Sequence, residues 1–170
     1  MYKRQRLDDL FSQRVPPDQP PDDVPHAAFG ACLGSAESRA KTLAGLVSPR
    51  EADVQIAQAY LRHRPITDAA ELRRVTADIV RMPTSEAQVR ALEALGRHYV
   101  SDPDIVRMLA RLFSETPSSS VQGAIAGILI RADQRSIASP ELVRTLVENR
   151  RPTASDDSMI DALIGRLQSP

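Results

Sequence analysis

Gly30-Ala31-Cys32-Leu33-Gly34 has the spacing of a nucleophile elbow, with a thiol where hydrolases of that design carry a hydroxyl. The corresponding chemistry is attack by a cysteine thiolate on an acyl carbon, assisted by a base that an acid holds in place. An elbow of this kind needs a strand before it and a helix after it, within a parallel sheet. Nothing else in the sequence reads as such a sheet, and the nearest histidine, His26, lies among prolines. The pentapeptide therefore reads as a small-residue turn leading into the first helix.

The histidines are His26, His63 and His98, and no H-E-x-x-H or other metal spacing connects them. His63 and His98 each follow directly on an arginine, at equivalent places in a repeat described below. Ala132 and Leu167 fill the same column in the other units, so packing at the edge of an apolar face accounts for these histidines better than ligation. No catalytic residue, metal or cofactor is expected. Gly123 and Gly127 form a G-x-x-x-G on a segment too short to span a bilayer. They are expected to let a neighbouring helix approach closely, which would offset a helical glycine cost of up to about 1 kcal/mol.

Arginines are the most suggestive surface residues. Arg62, Arg97, Arg131 and Arg166 lie 35, 34 and 35 residues apart, and a second set, Arg74, Arg107 and Arg144, follows two residues after Leu72, Ile105 and Leu142. A row of guanidinium groups suits carboxylates or phosphates, because each offers a planar fork of donors. The simpler reading is a solvated face whose arginines pair with Asp78, Asp104 and Glu148.

The elements that must position these residues are helices. In the register of the first arginine set, Ile56, Ala91, Ile125 and Ile160 coincide, as do Ala59, Ala94, Ile128 and Leu163, and Tyr60, Leu95, Leu129 and Ile164. These columns sit at i, i+3 and i+4, one face of a helix. Thr84, Ser118 and Thr153 stand where an N-cap belongs, each just after a proline. A second helix follows in each unit: Leu72, Val75, Ile79 and Val80 behind Thr67 or Asp68; Ile105, Met108, Leu109 and Leu112 behind Ser101 or Asp102; Leu142, Val143, Leu146 and Val147 behind Ser139-Pro140-Glu141. Ser35 is expected to cap an earlier helix with the face Ala36, Ala40, Leu43 and Val47, and Ser48-Pro49 to open the one after it. One helix pair cannot bury enough surface to offset the ordering of about 35 residues at roughly 1.5 kcal/mol each, so neighbouring pairs must supply the rest. The expected fold is all-α: an α-solenoid of stacked antiparallel helix pairs over residues 35–168.

Residues 1–34 differ. Pro16, Pro17, Pro20, Pro21 and Pro25, mixed with Asp18, Asp22 and Asp23, predict a disordered or weakly ordered, polyproline-like segment, with one short turn at Leu7, Leu10 and Phe11. Met1 to Gln5 is similar to the translated read-through of a sequencing adapter; on that reading those residues are not natural and the true N-terminus lies upstream.

Residues 48–168 resemble the HEAT-like family, whose first helix commonly begins Val-Arg and ends Ala-Leu-Gly. Ala91, Ala94, Leu95 and Gly96 look like that ending, Gly165 shares the column of Gly96, and Val121-Gln122 with Ile128-Leu129 keeps the family's spacing. Val89-Arg90 departs from it by two positions, and Asp161 stands where Ala57, Leu92 and Ala126 are apolar. The Trp and Tyr signature of tetratricopeptide repeats is absent. The resemblance implies that the second helices line a concave face, which would put Arg74, Arg107 and Arg144 on a groove.

Composition narrows the function. The 170 residues hold 22 Lys plus Arg against 22 Asp plus Glu, so no global field draws in nucleic acid or an anionic membrane. Aromatics make up 4%, too few to stack on a run of bases. The lone Cys32 allows no intrachain disulfide and gives no sign of the compartment. The leading expectation is a non-enzymatic module that binds a protein partner, such as an acidic segment, with no membrane contact. The second is an accessory C-terminal region of a larger enzyme or exported protein. Binding of nucleic acid by a HEAT-like surface is the weakest of the three.

Overall fold

The computed structural model of the chain describes residues 24–152 and 158–169. The expectations placed on residues 1–23 and on Thr153 lie outside them. The described residues form ten α-helices and one 3₁₀ turn, with no strand among them. In chain order the helices are α1 (Val24–Cys32), α2 (Ala36–Ala44), α3 (Glu51–His63), α4 (Ala69–Val80), α5 (Ser85–Leu95), α6 (Pro103–Glu115), α7 (Ser119–Leu129), α8 (Gln134–Ile137), α9 (Pro140–Asn149) and α10 (Ser158–Gln168). The 3₁₀ turn, Gly45–Val47, joins α2 to α3.

Short-range chemistry sets most helix starts. Asp68 opens α4 by accepting from the Glu71 amide at 3.0 Å. Asp102 opens α6 by accepting from the Asp104 and Ile105 amides at 3.0 and 3.2 Å. Ser35, Ser118 and Ser139 do the same for α2, α7 and α9. Each cap satisfies amides that have no partner inside the helix. Pro103 and Pro140 take first-turn positions, where a missing N–H costs nothing. Thr84 precedes α5, but its side chain makes no cap hydrogen bond.

Four expectations are corrected. Residues 24–32, assigned to the weakly ordered segment, form α1, which packs on α2 and α3 and buries Ala27, Ala28 and Ala31. Pro25 is compatible because it stands in the first helical turn. Gly34, at φ +94°, makes the turn into α2, in a conformation that side chains with a Cβ disfavour. Val47 lies on the 3₁₀ turn, beyond the end of α2. Ser48-Pro49 does not open α3: Arg50 holds the cap position, and the Ser48 hydroxyl donates to the buried Asp53 carboxylate at 2.6 Å. Gly123 and Gly127 admit no close helix, since a Cβ added at either meets nothing within 4 Å.

The helices pack in two rows. In one, α5 lies on α7 and α7 on α10; in the other, α2 lies on α4, α4 on α6 and α6 on α9. Contacts of α4 with α5, α6 with α7 and α9 with α10 join the rows, and the 3₁₀ turn sits among α3, α4 and α5. A continuous apolar cluster runs from Ala31 to Leu167. Most of the expected columns fall in it: Ala91, Ile125 and Ile160, then Ala94, Ile128 and Leu163, then Tyr60, Leu95 and Leu129 are buried, whereas Ile56 and Ala59 are half-buried outside it and Ile164 is half-buried against it. Asp161, the polar intruder in its column, is exposed and pairs with Arg150.

Candidate functional site

Arg74, Arg107 and Arg144 come from α4, α6 and α9, successive helices of one row, and all three are exposed. They do not share a cleft. Arg107 lines one of about 360 Å³ with Arg111, Ser139, Glu141 and Thr145. Arg144 lines another of about 510 Å³, beside Val143, Val147 and Leu167. Arg74 lines neither of these. Arg107 pairs with Asp104, a carboxylate that also faces Arg73 at 3.5 Å. Arg73 reaches Asp102 at 3.6 Å as well, so ion pairs tie α4 to α6. Among the described residues Arg74 and Arg144 make no hydrogen bond or ion pair.

The other arginine set divides by role. Arg131 Nη1 donates to the Gly96 carbonyl at 2.7 Å, and Arg166 Nη1 to the Ile130 carbonyl at 3.2 Å. Gly96 and Ile130 are the C-caps of α5 and α7, so each guanidinium meets the carbonyl-rich, negative end of the preceding helix in its row. Arg97 stands one unit earlier and makes no such bond. The end of α3 is held instead by Arg39, which donates to the Arg64 and Pro65 carbonyls at 3.2 Å each. Arg39 also grips Glu71 at 2.7 to 3.1 Å and the Tyr60 hydroxyl at 3.0 Å. The hydrogen bonds to Glu71 raise the Arg39 pKa further and outweigh its desolvation.

Arg62, Arg97 and His98 consequently meet in a cleft of about 260 Å³, with Gln58 on its wall and Leu61 and Ala94 beneath. Neither arginine makes a hydrogen bond or ion pair among the described residues. Both His98 ring nitrogens are buried without a hydrogen-bond partner. Desolvation lowers the His98 pKa; the nearby Leu95 and Ala94 carbonyls pull the other way without completing a hydrogen bond, and the Arg39 charge adds to the drop.

Cys32 is exposed at the last position of α1, away from any strand-to-helix turn. His26 and His63 are exposed. Among the described residues no group of three or more His, Cys, Asp or Glu could hold a metal ion, and no helix is long and apolar enough to cross a membrane.

Sequence reasoning passed over a buried polar column. Gln88 and Gln122 stand nine residues before Arg97 and Arg131. Gln88 Nε2 donates to the Ile79 and Val80 carbonyls at the end of α4, at 3.0 and 3.3 Å. Gln122 Nε2 donates to the Phe113 and Asn149 carbonyls at 2.8 Å each, and its Oε1 accepts from the Arg151 amide at 2.8 Å. Asp53 occupies the same column before Arg62 and accepts from Ser48 and from Arg50 Nε at 2.9 Å. The signal was a polar residue recurring nine positions ahead of the arginine column, inside an apolar stripe.

Comparison with known proteins finds no matching family model, no matching curated protein and no matching solved structure.

Proposed function

We propose that this protein is a non-catalytic interaction module: a short α-solenoid of HEAT-like helix pairs that offers the α4, α6 and α9 row to an acidic segment of a protein partner. The observation that carries this reading is the exposure of Arg74, Arg107 and Arg144 on three successive helices of one row. The solenoid reading is supported by hydrogen bonds that recur with the repeat. Arg131 to Gly96 and Arg151 to Thr116 each span 35 residues, and Arg166 to Ile130 spans 36. Repeats that lean on their neighbours in this way form extended binding faces.

The electrostatics favour carboxylates. Arg74 and Arg144 have no partner among the described residues to surrender. The pair that Arg107 makes with Asp104 is exposed, a class worth about 1 kcal/mol or less, so a partner carboxylate can replace Asp104 at little cost.

The test is protein capture on the immobilised chain, wild type against the triple variant Arg74→Glu, Arg107→Glu and Arg144→Glu. All three side chains are exposed, so the helical circular dichroism should be unchanged. The variant is expected to lose the captured protein, and capture by wild type should weaken as salt is raised. Equal recovery by both proteins removes this face from the reading.

A further inference from the structure

We infer that the cleft between the ends of α3 and α5 is an oxyanion site, built for a phosphate monoester group held by Arg62, Arg97 and His98. The inference is independent of the α4, α6 and α9 face. It begins from a break in a pattern. Arg131 and Arg166 are used up in tethering their helices to the preceding helix end. Arg97 holds the same place in the repeat, yet Arg39 has taken over the end of α3, and Arg97 is left without a bond among the described residues.

Two helix C-termini point toward this region, and their carbonyls would repel an anion. Each end already carries one bound guanidinium. Arg39 lies on the Arg64 and Pro65 carbonyls, and Arg131 on the Gly96 carbonyl. Arg62 and Arg97 are therefore surplus positive charge beside the cleft, and no carboxylate lines it. His98 supplies the independent observation: it lines the cleft, and neither of its buried ring nitrogens completes a hydrogen bond, so a turn of the ring toward the cleft surrenders none. A buried polar group without a partner is costly, and an anion that accepts from the imidazole N–H relieves the part of that cost that falls on the donor nitrogen. The Gln58 amide can add a further donor.

Phosphate fits better than carboxylate. Its double negative charge matches two guanidinium groups, and its oxygens present more acceptors than a carboxylate to the two planar forks and the imidazole. Leu61 and Ala94 beneath the site lower the local dielectric, which strengthens each charge-assisted hydrogen bond.

Isothermal titration of the full chain with inorganic phosphate, at low ionic strength, tests the site. One saturable site is expected, with shifts in the His98 ring resonances by NMR. Arg62→Ala and Arg97→Ala should each weaken binding by about tenfold or more, the scale of a lost charged hydrogen bond. Arg166→Ala, which alters a structural arginine elsewhere, should leave binding unchanged. Both cleft arginines are exposed, so folding should survive, with circular dichroism as the check. A phosphoserine peptide and phenyl phosphate then separate a modified protein from a small metabolite as the source, and tighter binding of either supports the site. Absence of saturable binding at millimolar phosphate, equal binding of acetate, or no effect of Arg97→Ala would overturn it.

Discussion

Gln122 joins three segments with one side chain. It is fully buried, donates to the ends of α6 and α9, and accepts from the Arg151 amide that begins the path toward α10. Replacement by leucine keeps the volume and discards all three bonds, leaving a buried carbonyl and two part-buried groups unmatched. Each such group costs about 1–3 kcal/mol, so Gln122→Leu should destabilise by roughly 3 kcal/mol or more. Urea unfolding followed by circular dichroism would measure it. Gln88→Leu should cost less, because Gln88 serves two carbonyls at the end of a single helix. A Gln122→Leu variant within about 0.5 kcal/mol of wild type, the range of ordinary surface changes, would mean the three bonds contribute nothing net.

At the scale of the element, α7 holds an avoidable weakness. Gly123 and Gly127 lie within the helix, and a Cβ at either position meets open space. Gly127→Ala should therefore raise stability by up to about 1 kcal/mol, seen as a higher melting temperature. A lower one would show that the cleft beside α7 closes on that glycine in solution. The same helix shows what was readable from the residues. Ser118, Asp102-Pro103 and Ser139-Pro140 announced their helices because capping depends on a few adjacent residues. α1 was hidden because Pro25 follows four other prolines, and what favours the helix is the burial of Ala27, Ala28 and Ala31 against α2 and α3, a tertiary contact that local composition does not show. α8, four residues capped by Asp133, is too short to show a period. At the candidate site the arginine columns were visible, but their roles were not. Whether an arginine tethers a helix end or stands unpaired depends on Arg39, which lies outside the repeat register and acts across 25 residues on Arg64.

On the scale of the whole molecule, contacts within and between the two rows link each helix pair to the next. α5 touches α4, α7 and the 3₁₀ turn, so damage there reaches both neighbouring pairs. Leu95 is 1% exposed on that helix, while Arg97, two residues on, is exposed. Leu95→Asp puts an unpaired carboxylate into the apolar cluster, at a cost of several kcal/mol. Against a total stability of about 5–15 kcal/mol, that loss should lower the melting temperature by about 10 °C or more. Arg97→Ala removes a side chain with no bond among the described residues and should melt within a few degrees of wild type. The pair makes a sharp test because only the register distinguishes two positions so close in sequence. If the columns describe how successive helix pairs shelter one another, the two variants diverge widely. Equal melting of both would mean that α5 presents a different face to its neighbours, and the stacked arrangement would have to be abandoned together with the binding row built on it.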